Sequence, residues 1–325
     1  MTAVLELEDL RVSFRHGDRL LPAVAGVDLT LRRGVAQGLV GESGCGKTLT
    51  ALSLLGLLPP AAVVESGRVT MEGRDLLSLP EKELRRYRGR LIGMIFQEPM
   101  TSLNPVFTVG DQIAEAIRAH EKTGAAAAAA RVRDLLERVG IPDPEARMKS
   151  YPHQLSGGQR QRVMIAMALA CGPRVLVADE PTTALDVTVQ ARILELLGSL
   201  RREREMALLL VTHDLGIVAQ ETDRTAVMYL GRIVEEATTP EIFRRPVHPY
   251  TRALLRSIPR LGRTEKRLKT IPGNVPSLAE RPPGCAFSPR CPAARDICFR
   301  RDPTLEEVGT DHRAACWAAS PEAEK

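Results

Sequence analysis

Residues 41–48, GESGCGKT, fit the pattern G-x-x-x-x-G-K-[ST], and this pattern restricts the fold of the chain more than any other feature. The apolar run 37–40 before it is typical of a buried strand, and the pattern over 47–58 is that of a helix. In this context glycines let successive backbone N–H groups converge on phosphate oxygens, and the helix N-terminus adds partial positive charge. The sequence therefore predicts a strand, a phosphate-binding loop and a helix, in that order.

Two side chains of this loop have their own predicted roles. Lys47 reaches the β- and γ-phosphates of a nucleoside triphosphate, and Thr48 supplies a hydroxyl ligand to magnesium. The backbone does the remaining binding, so we expect the side chain of Cys45 to be incidental. The predicted nucleotide-binding residues of the loop are Gly41, Ser43, Gly44, Cys45, Gly46, Lys47 and Thr48.

A second candidate site follows the apolar run 175–178. The run places Asp179 and Glu180 at the carboxyl end of a predicted strand. Asp179 is the predicted magnesium ligand. Glu180 is predicted to activate a water molecule, because a carboxylate beside the γ-phosphate can act as a general base. The alternative is that Glu180 is only a solvated acid of a loop.

Hydrophobic patterning predicts an α/β fold. Segments 3–14 and 24–31 alternate apolar and polar residues, as half-buried antiparallel strands do. Helices such as 188–202 alternate with short apolar runs. The runs that predict buried strands are 37–40, 91–96, 175–178 and 207–211. This order predicts a mixed, largely parallel sheet with an antiparallel β subdomain.

The rest of the chain divides into a helical insertion and a tail. Residues 107–170 have a helical pattern, and the alanine tract 125–130 within them is expected on the solvent side of a helix. After about residue 258 the composition changes to Pro, Arg and Cys without a long apolar period. We therefore predict a main domain over 1–258 with an inserted helical subdomain, and a small cysteine-rich extension over 259–325.

Composition excludes several classes of protein. Hydrophobic residues make up 44% of the 325 residues and charged residues 26%, as in folded globular chains. Aromatic residues are only 3%, which excludes a row of stacking platforms for single-stranded nucleic acid. The stretch 51–64 is too short to span a bilayer, and the N-terminus does not resemble a secretory signal. We expect a cytoplasmic chain that meets a membrane only through partner subunits.

Residues 155–159, LSGGQ, resemble the signature of ATP-binding cassette ATPases. Other residues stand in the order of that family: Gln97 resembles the Q-loop, 184–186 the D-loop, and His213 the switch histidine. Phe14 stands where the family places an aromatic residue that stacks on adenine. A structural role remains the alternative for Phe14, Gln97 and His213.

The resemblance implies a P-loop ATP-binding cassette that hydrolyses ATP with Mg²⁺. Glu180, His213 and Gln97 are then the catalytic residues, and Thr48, Gln97 and Asp179 hold magnesium. The signature acts in trans, so two cassettes pair head to tail around nucleotide. The signature and D-loop residues expected to contact nucleotide are Leu155, Ser156, Gly157, Gly158, Gln159 and Asp186.

Four longer runs narrow the resemblance to ATPases of oligopeptide, dipeptide and nickel importers. They are FQEPMTSLNP (96–105), YPHQ (151–154), DEPTTALDVTVQ (179–190) and HPYTRALL (248–255). The resemblance implies an ATPase subunit that drives peptide uptake from the cytoplasmic face of the inner membrane, with 98–110 receiving a permease helix. Its implied partners are a second, related but different ATPase chain, two transmembrane permeases and an extracytoplasmic substrate-binding protein.

Two alternatives to peptide import remain. One is import of nickel or another small solute, and the other is a cassette ATPase that acts on nucleic acid. Against the second, only 58 residues separate Gln97 from Ser156, which leaves no room for the long coiled coil of repair cassettes, and there is one phosphate loop, not two. We therefore expect no nucleic-acid partner.

Cys285, Cys291, Cys298 and Cys316 crowd the tail, with spacings of 5, 6 and 17 residues. Four thiolates suit zinc or an iron–sulfur cluster. The importer resemblance implies a [4Fe-4S] cluster with a structural role, while zinc, unmetallated thiols and a redox sensor that gates the ATPase remain alternatives. His312 and Trp317 are expected to pack beside the last cysteine and not to ligate.

Overall fold

The computed structural model of the chain describes residues 2–97, 102–183, 185–258 and 271–319. The chain forms two compact units. Unit 1 comprises Met1–Leu5, Leu31–Val35 and Ser78–Leu209, and unit 2 comprises Glu6–Thr30, Ala36–Leu77 and Leu210–Lys325.

The strands in the described ranges are β1 (Ala3–His16), β2 (Arg19–Arg32), β3 (Ala36–Val40), β4 (Ala62–Met71), β5 (Arg74–Asp75), β6 (Ile92–Ile95), β7 (Val175–Asp179), β8 (Ala207–Thr212), β9 (Arg224–Tyr229), β10 (Arg232–Thr238), β11 (Glu306–Gly309) and β12 (His312–Ala314). The α-helices in the same ranges are α1 (Lys47–Ser53), α2 (Glu81–Leu84), α3 (Val109–Arg118), α4 (Ala125–Arg138), α5 (Pro144–Met148), α6 (Gly157–Ala168), α7 (Val187–Arg204), α8 (Leu215–Glu221), α9 (Thr239–Arg244), α10 (Pro249–Arg256) and α11 (Asp296–Arg300).

Unit 2 contains a sheet in the order β11-β12-β10-β9-β3. β3 pairs with β9 in parallel, from Gln37 opposite Arg224 to Val40 opposite Val227. β10 then runs antiparallel to β9. Every residue of β3 is buried, which agrees with the continuous apolar run that predicted this strand.

A second, four-stranded sheet has the order β2-β1-β4-β5, and β4 pairs with β5 in antiparallel fashion. In β1 the alternation of buried residues shifts by one between Leu7 and Leu10. Asp9 lies at this shift with φ +43°, and its N–H donates to the Asp28 carboxylate at 2.8 Å. The predicted antiparallel subdomain is confirmed, and the alternation of β1 is interrupted at Asp9, where the backbone is left-handed.

Unit 1 contains β6 and β7, which pair in parallel from Ile92 opposite Val175 to Ile95 opposite Ala178. The predicted helical subdomain is also present, and α3 packs against α4 and α6. The tract 125–130 forms the first turns of α4. Its residues face solvent as predicted, except Ala128, which is buried.

The first helix is shorter than its pattern predicts. α1 ends at Ser53, whereas the sequence predicts helix to 58. The chain turns at Gly56, which has φ +60°, before Pro59 and Pro60. In the described part of the chain, no helix has both the length and the apolar character that a membrane crossing requires.

The cysteine-rich extension adds β11 and β12 to the sheet of unit 2. β12 pairs with β10 through Glu235 opposite Ala314 and Glu236 opposite Arg313. The Glu235 side chain is fully buried, and its carboxylate accepts from the Val247 N–H at 2.7 Å, the His248 N–H at 2.9 Å and the His312 Nε2 at 2.8 Å. One buried acid therefore joins the extension to the cassette sheet.

Glu235→Gln should lower the free energy of unfolding by about 3 kcal/mol, because an amide cannot accept from all of these buried donors. Urea unfolding followed through the fluorescence of Trp317, the only tryptophan of the sequence, measures this change. Glu307→Gln, at an exposed position of β11, should have a free energy of unfolding within about 0.5 kcal/mol of that of the unchanged chain. Equal unfolding midpoints for the two variants would show that the carboxylate does not hold the extension.

Candidate nucleotide-binding site

The predicted phosphate loop lies between β3 and α1, and two of its glycines leave no space for a side chain. A Cβ on Gly41 would lie 2.1 Å from the Met228 carbonyl oxygen. A Cβ on Gly46 would lie 2.6 Å from the Ala23 carbonyl oxygen, and Gly46 has φ +105°. Both glycines are therefore required by sterics, and Gly46 also by its left-handed backbone.

Lys47 closes over this loop. Its Nζ donates to the carbonyl oxygens of Gly41 at 2.9 Å and Glu42 at 3.0 Å, and the residue is only 5% exposed. The thiol of Cys45 is buried 3.7 Å from the same Nζ, and burial raises the pKa of Cys45. The loop is thus ordered around the ammonium group that is predicted to meet the phosphates.

Two residues far along the chain also hold the loop, and the sequence offers no signal for either. The N–H of Glu42 donates to Tyr250 Oη at 2.9 Å, and burial raises the pKa of that phenol. The Glu42 carboxylate accepts from Arg290 Nη1 at 2.8 Å and Nη2 at 3.0 Å. Tyr250 lies on α10, and Arg290 belongs to the cysteine-rich extension.

In unit 1 the structure brings Gln97 and Glu180 together. Asp179 ends β7 and is 2% exposed. Glu180 Oε2 accepts from Gln97 Nε2 at 3.2 Å and from Thr183 Oγ1 at 2.9 Å. Glu180 also has φ +46°, an uncommon backbone conformation for a residue with a side chain. Neither Thr183 nor this conformation is visible in the sequence pattern.

The signature residues begin α6. Ser156 Oγ accepts from the Gln159 N–H at 3.3 Å and Gln159 Oε1 accepts from the Ser156 N–H at 3.0 Å, which is a capping box. A Cβ on Gly158 would lie 2.8 Å from Val189 Cγ1, so α7 packs closely here. Leu155 is buried, whereas Ser156 and Gly157 are exposed to solvent.

Three other predicted residues have defined positions. Asp186 caps α7, and its Oδ1 accepts from the Val189 N–H at 2.9 Å. Ala184 of the same predicted loop lies outside the described residues. His213 is exposed directly after β8, and Phe14 is half-buried in β1. The roles predicted for His213 and Phe14 stay predictions.

All four cysteines of the extension line one cavity of about 20 Å³, together with Phe287 and Trp317. Burial raises the pKa of the Cys285 thiol to about 12 and also raises the pKa of Cys291 and Cys316. Within the described ranges, no group of three or more His, Cys, Asp or Glu residues has the arrangement to hold a metal ion.

The two residues expected to pack beside the last cysteine have partners of their own. His312 Nε2 contacts the Glu235 carboxylate at 2.8 Å, and Trp317 Nε1 donates to the Arg301 carbonyl oxygen at 2.9 Å. Both side chains are therefore engaged in contacts that fix the extension.

Comparison with known proteins identifies the family. The sequence model of the ABC transporter family matches residues 24–183. The family model of the oligopeptide/dipeptide transporter C-terminal region matches residues 234–298. The dipeptide transport ATP-binding protein DppD of Bacillus subtilis is 49% identical over 325 residues, covering 100% of this chain and 97% of that protein. The chain belongs to the oligopeptide/dipeptide group of ABC transporter ATP-binding proteins.

Further relatives agree with this membership. The oligopeptide transport ATP-binding protein OppD of Bacillus subtilis is 48% identical over 327 residues, covering 100% of this chain and 91% of that protein. The cassette MJ0796, solved as a dimer in a post-hydrolysis state with ADP and Pi, superposes with a TM-score of 0.66 at 26% identity, over 73% of this chain and 99% of that one. The predicted cassette fold is confirmed, and the chain is an ABC ATPase.

Lys47→Ala should weaken MgATP binding about ten- to 100-fold, because it removes a charged donor to the phosphates worth about 1.5–3 kcal/mol. Titration of the purified chain with a fluorescent ATP analogue measures this loss. Lys122→Ala, at an exposed lysine, should bind as the unchanged chain does. Equal affinities for all three proteins would contradict the assignment of Lys47.

Proposed function

We propose that this chain is the ATP-hydrolysing subunit of an importer that carries oligopeptides or dipeptides across the cytoplasmic membrane. One observation carries the proposal: a phosphate loop and the C-terminal region of oligopeptide/dipeptide transporters occur on the same chain. The names of the relatives at about half identity favour peptides over nickel and over nucleic acid. Uptake of labelled dipeptide by cells with and without the intact chain tests this proposal, and loss of nickel uptake alone would contradict it.

Binding of the triphosphate rests on the loop and on α1. The loop amides and the helix N-terminus receive the phosphates, and Lys47 neutralises their charge. Thr48, Gln97 and Asp179 hold Mg²⁺, and their hydroxyl, amide and carboxylate oxygens are the hard ligands that this ion prefers. Bound magnesium neutralises charge on the β- and γ-phosphates.

Hydrolysis uses Glu180 as the general base. A water oxygen forms a bond to the γ-phosphorus while the bond to the β-phosphate oxygen breaks, and Glu180 receives the water proton. Gln97 and Thr183 support this role, because both donate to Glu180 Oε2 and thereby orient the carboxylate. Gln97 and His213 act as further catalytic residues beside the γ-phosphate, and Phe14 stacks on adenine.

Two cassettes complete each other's sites. Ser156 and Gly158 of one subunit contact the γ-phosphate bound to the other, and the solvent exposure of Ser156 supports this role. The dimer loosens when hydrolysis removes these contacts, and this transition drives transport. The second cassette is a related but different chain.

The remaining partners are two transmembrane permeases and an extracytoplasmic substrate-binding protein, with the ATPase on the cytoplasmic face of the inner membrane. The predicted permease contact, 98–110, includes residues 98–101, which lie outside the described residues. In the described part, Val106 is 70% exposed and Phe107 is 52% exposed. Two large apolar side chains in solvent support docking of a permease helix here.

Glu180→Gln should retain MgATP binding while reducing ATP turnover by about 100- to 10,000-fold, because the general base is lost. Steady-state phosphate release and nucleotide titration measure the two effects. Glu205→Gln is a matched control, since Glu205 has a similar φ of +49° but lies at the exposed end of α7. Turnover by the Glu180 variant at the rate of the control would contradict the proposed base.

A [4Fe-4S] cluster is the cofactor proposed for the extension, with Cys285, Cys291, Cys298 and Cys316 as its ligands. The cavity that all four side chains line supports this, because cysteine sulfurs are the usual ligands of such clusters. The cluster would serve as a covalent crosslink of the extension, as metals do in small modules with little core.

Anaerobically purified chain should contain about four iron and four acid-labile sulfide per polypeptide, as a [4Fe-4S] cluster requires. Cys298→Ser should lose most of this iron. Cys171→Ser should retain it, because Cys171 does not line the cavity and contacts the Ala116 carbonyl oxygen. Stoichiometric zinc without iron would exclude the cluster in favour of the alternative.

A further inference from the structure

Arg290 makes a two-point contact with Glu42, the second residue of the phosphate loop. Its Nη1 and Nη2 each donate to one carboxylate oxygen of Glu42, at 2.8 Å and 3.0 Å. The Arg290 side chain is 5% exposed and that of Glu42 is 28% exposed. This is a two-point ion pair that is largely shielded from solvent, so little of it is screened by water or salt.

The remaining groups of Arg290 hold it in one position. Its Nε donates to the Pro272 carbonyl oxygen at 3.0 Å, and Nη1 also lies 3.4 Å from Tyr229 Oη. The guanidinium lies 5.8 Å from the centre of the Tyr229 ring and 5.9 Å from that of Phe287. Its bonds to Glu42 raise the pKa of Arg290 above its ordinary value, so it is permanently charged.

The backbone of Glu42 is also held, by Tyr250 and Lys47. The Glu42 N–H donates to Tyr250 Oη, and the Glu42 carbonyl oxygen accepts from Lys47 Nζ. The Tyr250 and Phe287 rings are 5.4 Å apart, and Phe287 belongs to the same short segment as Arg290. The extension therefore reaches the phosphate loop through a packed aromatic cluster and through one ion pair.

The negative charge of Glu42 affects how the loop binds a phosphate ligand. A free carboxylate on the second residue of the loop would repel the phosphates and oppose Lys47 and the helix N-terminus. We infer that Arg290 is a positioning residue for ATP binding, which neutralises Glu42 and holds it out of the field of the phosphates. This role rests on the proposed function, because it presumes that the loop binds ATP.

The inference predicts how affinity changes with charge at two positions. Arg290→Gln should raise the Kd for MgATP about tenfold, which is about 1.4 kcal/mol, and should raise the Kd for ADP less, because ADP carries less charge. Glu42→Gln should bind MgATP a few-fold more tightly than the unchanged chain. The double variant with both substitutions should have a Kd for MgATP within about threefold of that of the unchanged chain, because the opposing charges are then both absent.

A purely structural role of Arg290 predicts different affinities of these variants for ATP and ADP. If Arg290 only attached the extension, the double variant would bind as weakly as Arg290→Gln, and ATP and ADP would be affected equally. Arg313→Gln is the matched control, because Arg313 belongs to the same extension but pairs with Glu236 of β10 and not with the loop. It should leave both affinities unchanged.

The experiment is a titration of the full-length purified chain with fluorescent ATP and ADP analogues, repeated at low and high salt. Recovery of affinity in the double variant supports the inference, whereas weak binding by that variant overturns it. If Arg290→Gln does not fold, Glu42→Gln alone still tests the inference. An affinity of that variant for MgATP equal to or below that of the unchanged chain overturns the inference. If the unchanged chain binds no ATP at all, the proposed function itself is overturned.

Discussion

Close contact between the phosphate loop and two neighbouring backbone carbonyls is the constraint on which the nucleotide site depends. The loop lies against the carbonyl oxygens of Met228 and Ala23, at distances that exclude any Cβ on Gly41 or Gly46. These contacts fix the position of the loop immediately before α1. Lys47 Nζ donates to two loop carbonyls, which leaves one N–H of its ammonium group for a further acceptor. Binding of an anion needs this order in advance, since backbone dipoles act together only when they are aligned.

A buried carboxylate, Glu235, and a partly buried one, Glu42, join the extension to the cassette. Glu235 of β10 receives the His312 side chain, and Glu42 of the phosphate loop receives Arg290. A carboxylate without a partner in either place would be costly, because burial penalises an uncompensated charge. The apolar contact of Phe287 with Tyr229 and Tyr250 completes the interface. The extension is therefore part of the electrostatics of this unit and not an appended tail.

Much of the fold and site could be predicted from the sequence because the signals are local. The phosphate loop, the acid pair at the end of β7 and the capping box of α6 each lie within a few residues of sequence. The strands of the extension could not be predicted, since β11 and β12 are short and lack apolar alternation. Arg290 and Glu42 were missed for a related reason: 248 residues separate them, and no periodicity links such distant partners. The end of α1 was placed too late, because a helical pattern continued past the turn at Gly56.

The start of α6 supports the proposal that a single cassette is an incomplete site. The capping box engages the N–H groups of Ser156 and Gln159, while the amides of Gly157 and Gly158 belong to the first helical turn, where no intrahelical carbonyl is available. Ser156 and Gly157 are exposed, so this positive helix end faces outward. A helix end of this kind is suited to an anion that another molecule brings to it. In the proposed function, the γ-phosphate of ATP on a second cassette is such an anion, and its release as free phosphate removes the charge that makes pairing favourable.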